Sequence, residues 1–349
     1  VADAYYVYSS FDAICCVLLA FAGTSSRGFT MSKDVLENPE DTNYKILVCI
    51  DGTEESYRGL RYAMRLGSGG NTDITLLYIR PIDKQHHTGG LHMRMARENM
   101  LEWGLELPGM ASLKRARDLL VEADYLDDNW GTKTSHVDIK GDPLGDNSVE
   151  YTSEKGCKVL LKLMVSPSPD IGILEEGEMG NYDIIIVSSS DTTFKSFKSI
   201  FLNDSVSQVI ATESKNTVIV AKALEESHGH LLCLSGSESS LRMAKRDAIL
   251  ASRCFCPIYL FHVAKDESEM VKAKSIITKA RKIIESAGYA VSGEKIVIGD
   301  PVEKIVEEGQ NYSLTVLSGE HKLGFRRFFK SSFTYRILEK AQSSVMMSR

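Results

Sequence analysis

Apolar positions in this chain fall into short unbroken runs separated by stretches with helical spacing, and the two alternate along most of its length. Residues 44–50 form one such run and predict a strand buried on both faces. Over 53–66, Tyr57, Leu60, Ala63 and Met64 recur at helical spacing, with Thr53 ahead of Glu54 and Glu55 as the expected N-cap. A second buried run covers 74–79, after a Gly-Ser-Gly-Gly turn at 67–70. A helical pattern over 91–125, broken near Pro108, leads into a polar, acidic stretch, 126–156, that reads as an inserted loop. Strand 158–165, a short helix ending at Gly177, strand 183–187, helix 205–212 and strand 217–221 then complete five strands. Apolar runs separated by helices indicate a parallel sheet covered on both faces.

After a linker at 223–229 the same order returns. Strand 230–234, helix 239–253, strand 257–263, helix 267–287, strand 295–298, helix 302–308, strand 313–317, helix 333–341 and strand 344–347 repeat the first half. ILEEGEMGNYDIIIVSSS at 173–190 matches IVEEGQNYSLTVLSGE at 305–320, and Pro169 and Pro301 each open the helix concerned. A shared E-E-G turn, followed by N-Y and a strand in one topological slot, marks a duplication. The expected fold is α/β, with two tandem five-stranded, doubly wound, Rossmann-like parallel sheets, at 44–222 and 230–349. A pseudo-dimer through the last strands, 217–221 against 344–347, would cover two otherwise open edges.

Composition agrees with this picture. With 349 residues, 43% apolar and 25% charged, the chain is long enough for two cores and is neither disordered nor a membrane bundle in character. A net charge of −6 offers no broad positive field for nucleic acid or anionic lipid. The seven cysteines show no C-x-x-C, and buried thiols in a reducing, cytoplasmic compartment are expected. His86-His87 and His228-x-His230 read as surface histidines in polar linkers, without metal partners. Residues 1–43 form an extension whose apolar run 13–22 ends in an Ala-Phe-Ala signal-like site with no preceding Lys or Arg. Met31 as the working start, an atypical export signal and a partner-binding arm are the three readings, the first favoured.

YKILVCIDGTEESYRGLRYAMRL at 44–66 resembles the opening strand and helix of universal stress proteins, with Asp51-Gly52-Thr53 in the place of their Asp-Gly-Ser/Thr turn. IVIGDPVEKIVEEG at 296–309 is similar to the family's G-D-P segment. The resemblance covers nearly all of 44–349 outside 126–156. It implies an adenine site, for ATP or AMP, between the first two strand ends, with phosphates cradled by G-x-x-G, nine residues and G-[ST]. Carried over, the base side of the first site is Asp51, Gly52, Thr53 and Ile79, and Ser205 takes the place of the Ser that closes the phosphate motif. Asp191, Phe194 and Asp204 stand where that loop's glycines belong, so its phosphate half is lost. In the second half Ser235 replaces the Asp, and Val263 stands in the place of Ile79. There Gly319, Gly324, Arg326, Ser331 and Ser332 remain in a basic loop that also holds Lys322, Arg327 and Lys330. A solvated basic loop, with Phe325, Phe328 and Phe329 turned inward, is the competing reading of that segment.

No constellation for catalysis is recognised: there is no G-x-S-x-G, Walker lysine motif or H-E-x-x-H. Glu175-Glu176 and Glu307-Glu308 read as solvated helix ends. The expectation is a stress-response binding or regulatory module with degenerate nucleotide sites and no enzyme activity. An ATP-binding nucleotide sensor is one alternative. An ATP pyrophosphatase-like enzyme is the other, from SGSESS at 235–240. A homodimer or a protein partner would contact 126–156.

Overall fold

The computed structural model describes residues 43–82, 109–127, 129–139, 142–189, 205–222, 229–319 and 333–349. All lie in the compact unit Asn43–Arg349, so the reading of Met31 and of the apolar run before it falls outside the described residues.

The first repeat runs β1 (Tyr44–Cys49), α1 (Glu54–Ser68), β2 (Thr72–Pro81), α2 (Met110–Glu122), β3 (Gly131–Ile139), β4 (Asp142–Thr152), β5 (Lys158–Ser166), α3 (Pro169–Gly180), β6 (Ile184–Ser188), α4 (Val206–Glu213) and β7 (Thr217–Ala221). The second runs β8 (His230–Cys233), α5 (Glu238–Arg253), β9 (Ile258–Ala264), α6 (Met270–Ser286), β10 (Gly293–Ile298), α7 (Pro301–Gly309), β11 (Leu314–Ser318), α8 (Phe333–Lys340) and β12 (Ser344–Ser348). A 3₁₀ turn, Glu267–Glu269, precedes α6, so the helix predicted from residue 267 starts three residues later.

One sheet holds all twelve strands, in the order β10-β9-β8-β11-β12-β7-β6-β1-β2-β5-β4-β3. The second repeat contributes a five-strand parallel order of third, second, first, fourth, fifth. The first repeat mirrors it and adds β4 and β3 at its outer edge. The two repeats join where β12 runs antiparallel to β7, with Val345 opposite Val220 and Met347 opposite Val218. Pairing these last strands removes two edges at once.

Because the strands are buried on both faces, alternate residues feed two cores. Ile46, Val48, Leu60 and Leu76 join Leu232, Ala248, Leu260 and Ile277 on the face covered by α1, α2, α5 and α6. Leu47, Leu77, Ile185 and Ile210 join Leu231, Phe261, Ile305 and Ile337 on the face covered by α3, α4, α7 and α8. Each core continues through both repeats.

The stretch 126–156 is not a loop but carries β3 and β4, an antiparallel extension that pairs onto β5. The alternation that marks a strand is weak there because β3 is exposed along nearly its whole length, so neither face had to be apolar. Glu176, read as solvated, is buried: its carboxylate pairs with Lys162 Nζ at 2.5 Å and accepts from the Tyr182 hydroxyl at 2.8 Å. Glu308 repeats this with Lys295 at 2.6 Å and Tyr312 at 3.3 Å. The duplicated E-E-G and N-Y therefore encode one Glu–Tyr–Lys arrangement used twice. The glycine of each motif lets its helix sit on the sheet: an added Cβ would lie 2.7 Å from Ile185 at Gly177, and 2.5 Å from Thr315 at Gly309.

Candidate functional site

In an open parallel sheet, ligands gather at the carboxyl ends of the strands where the connections diverge to opposite sides. In the first repeat this point lies between β1 and β6, because the chain leaves β1 for β2 and returns to β6 on its other side. Asp51 follows β1 and Ser188 ends β6. Ser188 donates its hydroxyl to Asp51 Oδ2 at 2.5 Å, across the divide. The other oxygen, Oδ1, accepts from Thr53 N at 3.0 Å and from Thr53 Oγ1 at 2.5 Å. Thr53 is also the N-cap of α1, accepting from Ser56 N. The carboxylate is thus aimed by the turn it belongs to and by the neighbouring strand.

Gly52 makes that turn possible. Its φ of +87° suits glycine, and a Cβ there would come within 2.8 Å of Ser112 Oγ on the first turn of α2. The second repeat has the same turn: Gly236 at φ +84° lies between Ser235 and Ser237, and Ser237 N-caps α5. Ser235 Oγ accepts from Ser237 N at 3.3 Å, the bond that Asp51 makes with Thr53. The turn is kept and the negative charge is not.

Known proteins extend this description. No protein-family model matches the sequence, and no curated protein does. Among solved structures, a universal stress protein from Archaeoglobus fulgidus DSM 4304 is similar over 87% of this chain and 96% of its own, with TM-score 0.55 at 15% identity. A proposed universal stress protein from Pseudomonas aeruginosa UCBPP-PA14 covers 88% and 93%, with TM-score 0.54 at 13% identity. A functionally unknown protein from Pseudomonas aeruginosa PAO1 covers 88% and 92%, with TM-score 0.52 at 13% identity. The chain has the tandem universal stress protein fold.

Within that fold the remaining sequence-derived positions separate. Ile79 lies on the same side of the sheet as Cys49, but its side chain is buried against Gly172 of α3. Val263 is its half-buried counterpart at the end of β9. Ser205 caps α4 in a capping box with Gln208, which engages its hydroxyl with the helix. Gly319 follows β11, donates to Ser348 O at 2.8 Å and lies against the Arg349 guanidinium. Gly324, Arg326, Ser331 and Ser332, with Asp191, Phe194 and Asp204, lie outside the described residues. In SGSESS, Ser237 caps the Ser240 amide and Ser240 returns a bond to Ser237 O, so these hydroxyls serve the turn itself.

Ser188 was not singled out from sequence. Its signal was the first serine after the apolar run IIIV, at the position that Ser318 holds in the second repeat. Arg80, near the end of β2, is buried and paired with Asp142 of β4 at 2.5 Å, and its Nε has no hydrogen-bond partner among the described residues. No sequence signal marks that pair, since Asp142 lies in the polar stretch 126–156.

Burial, and then the Asp51 carboxylate, push the Cys49 thiol up, and burial does the same to Cys233. These two are the buried core thiols expected. The reading of the histidines needs correction. His230 is fully buried in β8, and its Nδ1 lies 3.0 and 3.1 Å from the two carboxylate oxygens of Asp247. Its Nε2 lies 3.0 Å from the Tyr62 hydroxyl and 3.9 Å from Cys254 Sγ, which in turn lies 2.7 Å from Cys256 Sγ. Burial alone would lower the imidazole's pKa, but Asp247 and Cys256 together outweigh it and raise it to about 10. The partners were invisible in sequence because they stand 17, 24 and 168 residues away. They converge at the amino-terminal end of β8, away from Asp51.

Among the described residues no helix is long and apolar enough to cross a membrane.

Proposed function

We propose that this chain is a universal stress protein-like binding module of regulatory type, non-catalytic, with degenerate adenine-nucleotide sites. The observation that carries the reading is the carboxylate of Asp51, held across the divide between β1 and β6 by Ser188 and Thr53. A carboxylate fixed at that crevice suits hydrogen-bond donors of a nucleoside rather than a phosphate, which it would repel. The phosphate side of the same repeat carries Asp191, Phe194 and Asp204 in place of glycines. The second repeat reverses the loss: Ser235 replaces the carboxylate, while Gly319, Gly324, Arg326, Ser331 and Ser332 stand in a basic segment.

The non-catalytic reading is supported by how the polar groups at the strand ends are used. Asp51, Thr53, Ser205 and the serines of 235–240 hold turns and helix starts. No described residue there has the nucleophile-and-base arrangement that hydrolysis requires.

The test is phosphate and pyrophosphate release from ATP with magnesium, run beside a binding titration of the intact chain and of Asp51→Ala. Absence of turnover, with weak, magnesium-independent nucleotide binding that Asp51→Ala removes, is expected. Tight magnesium-dependent ATP binding abolished by Asp51→Ala would instead favour the nucleotide sensor. Release of pyrophosphate would favour the adenylating enzyme.

A further inference from the structure

We propose that His230, Cys254 and Cys256 form a binding site for a thiophilic divalent cation of the zinc type, with the Tyr62 hydroxyl as a fourth donor at the junction of the repeats.

One donor atom from each of the three residues lies within 4.8 Å of the others, and all three residues are buried. A tetrahedral site with Zn–S near 2.3 Å and Zn–N near 2.0 Å has N–S edges of about 3.6 Å and an S–S edge of about 3.8 Å. Cys254 Sγ, at 3.9 Å from His230 Nε2, lies within about 0.4 Å of the first distance. Tyr62 Oη, at 3.0 Å from the same nitrogen, completes a ring of nitrogen, oxygen and two sulfurs. The sulfurs, 2.7 Å apart, need to part by about 1 Å, within the reach of a side-chain rotation at Cys256.

The backbone accounts for both thiols pointing inward. Helix α5 ends in a double-bonded turn, with Phe255 N donating to Ser252 O and Cys256 N to Ala251 O. The left-handed position of such a turn normally falls to glycine, but here it is Phe255, at φ +53° and 87% exposed. The aromatic ring is turned out to water and the flanking cysteines into the junction.

Groups around the donors are arranged as they are around bound metals. The Asp247 carboxylate takes Nδ1 of His230 and leaves Nε2 facing the sulfurs, the pattern that fixes a metal-binding imidazole. Arg65 Nη2 lies 3.6 Å from Cys256 Sγ and 3.3 Å from Cys254 O, where it stabilises sulfur as thiolate. A divalent cation, two thiolates and a neutral imidazole sum to zero, as do Asp247 and Arg65. Binding releases the thiol protons, and any proton held at Nε2, to solvent. Asp247, which holds the imidazole, also lines a cavity of about 440 Å³ together with Leu250 and Arg253. Tyr62 and Arg65 belong to α1 and the other groups to the second repeat, so the ion would tie the two repeats together.

The experiment uses the full chain, reduced and stripped with a chelator, titrated with Zn²⁺ by calorimetry and with Co²⁺ by absorption. One equivalent of each is expected, with a thiolate-to-cobalt charge-transfer band that disappears in the Cys254→Ser, Cys256→Ser double variant. Asp247→Asn should weaken affinity about 10- to 100-fold by releasing the imidazole. Failure of the reduced wild-type chain to bind either ion would overturn the proposal. So would metal binding unchanged by the double variant, or a Cys254–Cys256 disulfide forming in a chain that takes no metal when reduced. Should a variant fail to fold, the wild-type cobalt spectrum decides alone, since binding without a thiolate band contradicts the site.

Discussion

The hydroxyl of Ser188 meets Oδ2 of Asp51 at 2.5 Å, joining the ends of two strands that are 137 residues apart in sequence. This bond and the two from Thr53 orient the carboxylate between the ends of β1 and β6. Ser188→Ala removes one of them at a half-buried site. Urea denaturation should show a loss of about 1 kcal/mol, with the fold unchanged by circular dichroism.

The two Glu–Tyr–Lys arrangements are chemically alike but differ in burial, so the same substitution should have different costs. Glu176→Ala strands Lys162 and Tyr182 beside a buried gap and should destabilise by about 2 to 3 kcal/mol. Glu308→Ala acts against Lys295, whose side chain is 53% exposed, and should cost less than about 1 kcal/mol. Paired denaturant titrations of the two variants check the difference.

Phe255 holds a left-handed backbone without glycine's freedom, and its ring is exposed. Phe255→Gly should therefore stabilise the chain by about 1 kcal/mol, read as a raised melting temperature. A fall in stability would show that the ring has a packing role.

The duplicated fold could be read in the sequence because fully buried strands and amphipathic helices leave strong periodic signals. ILEEGEMGNYD and IVEEGQNYS announced the repeat, while the β7–β12 junction was permitted by two open edges and implied only by the resemblance to universal stress proteins. The 131–152 hairpin was missed because an exposed two-stranded ribbon needs no apolar face. Asp51 was legible, since Asp-Gly-Thr after a strand prescribes a turn with positive φ at the glycine. Its partner Ser188 was not, because strand order decides which residue lies opposite it. His230 was misjudged for the same reason: its neighbours Asp247, Cys254 and Tyr62 come together only when α5 folds back on β8 and packs beside α1.

On the proposed reading, the first repeat keeps the base side of an adenine-nucleotide site and has lost its phosphate side. The affinities of AMP, ADP and ATP for the intact chain, measured by calorimetry with and without magnesium, should then not rise with phosphate number or with magnesium. Affinity climbing steeply from AMP to magnesium-bound ATP would contradict it.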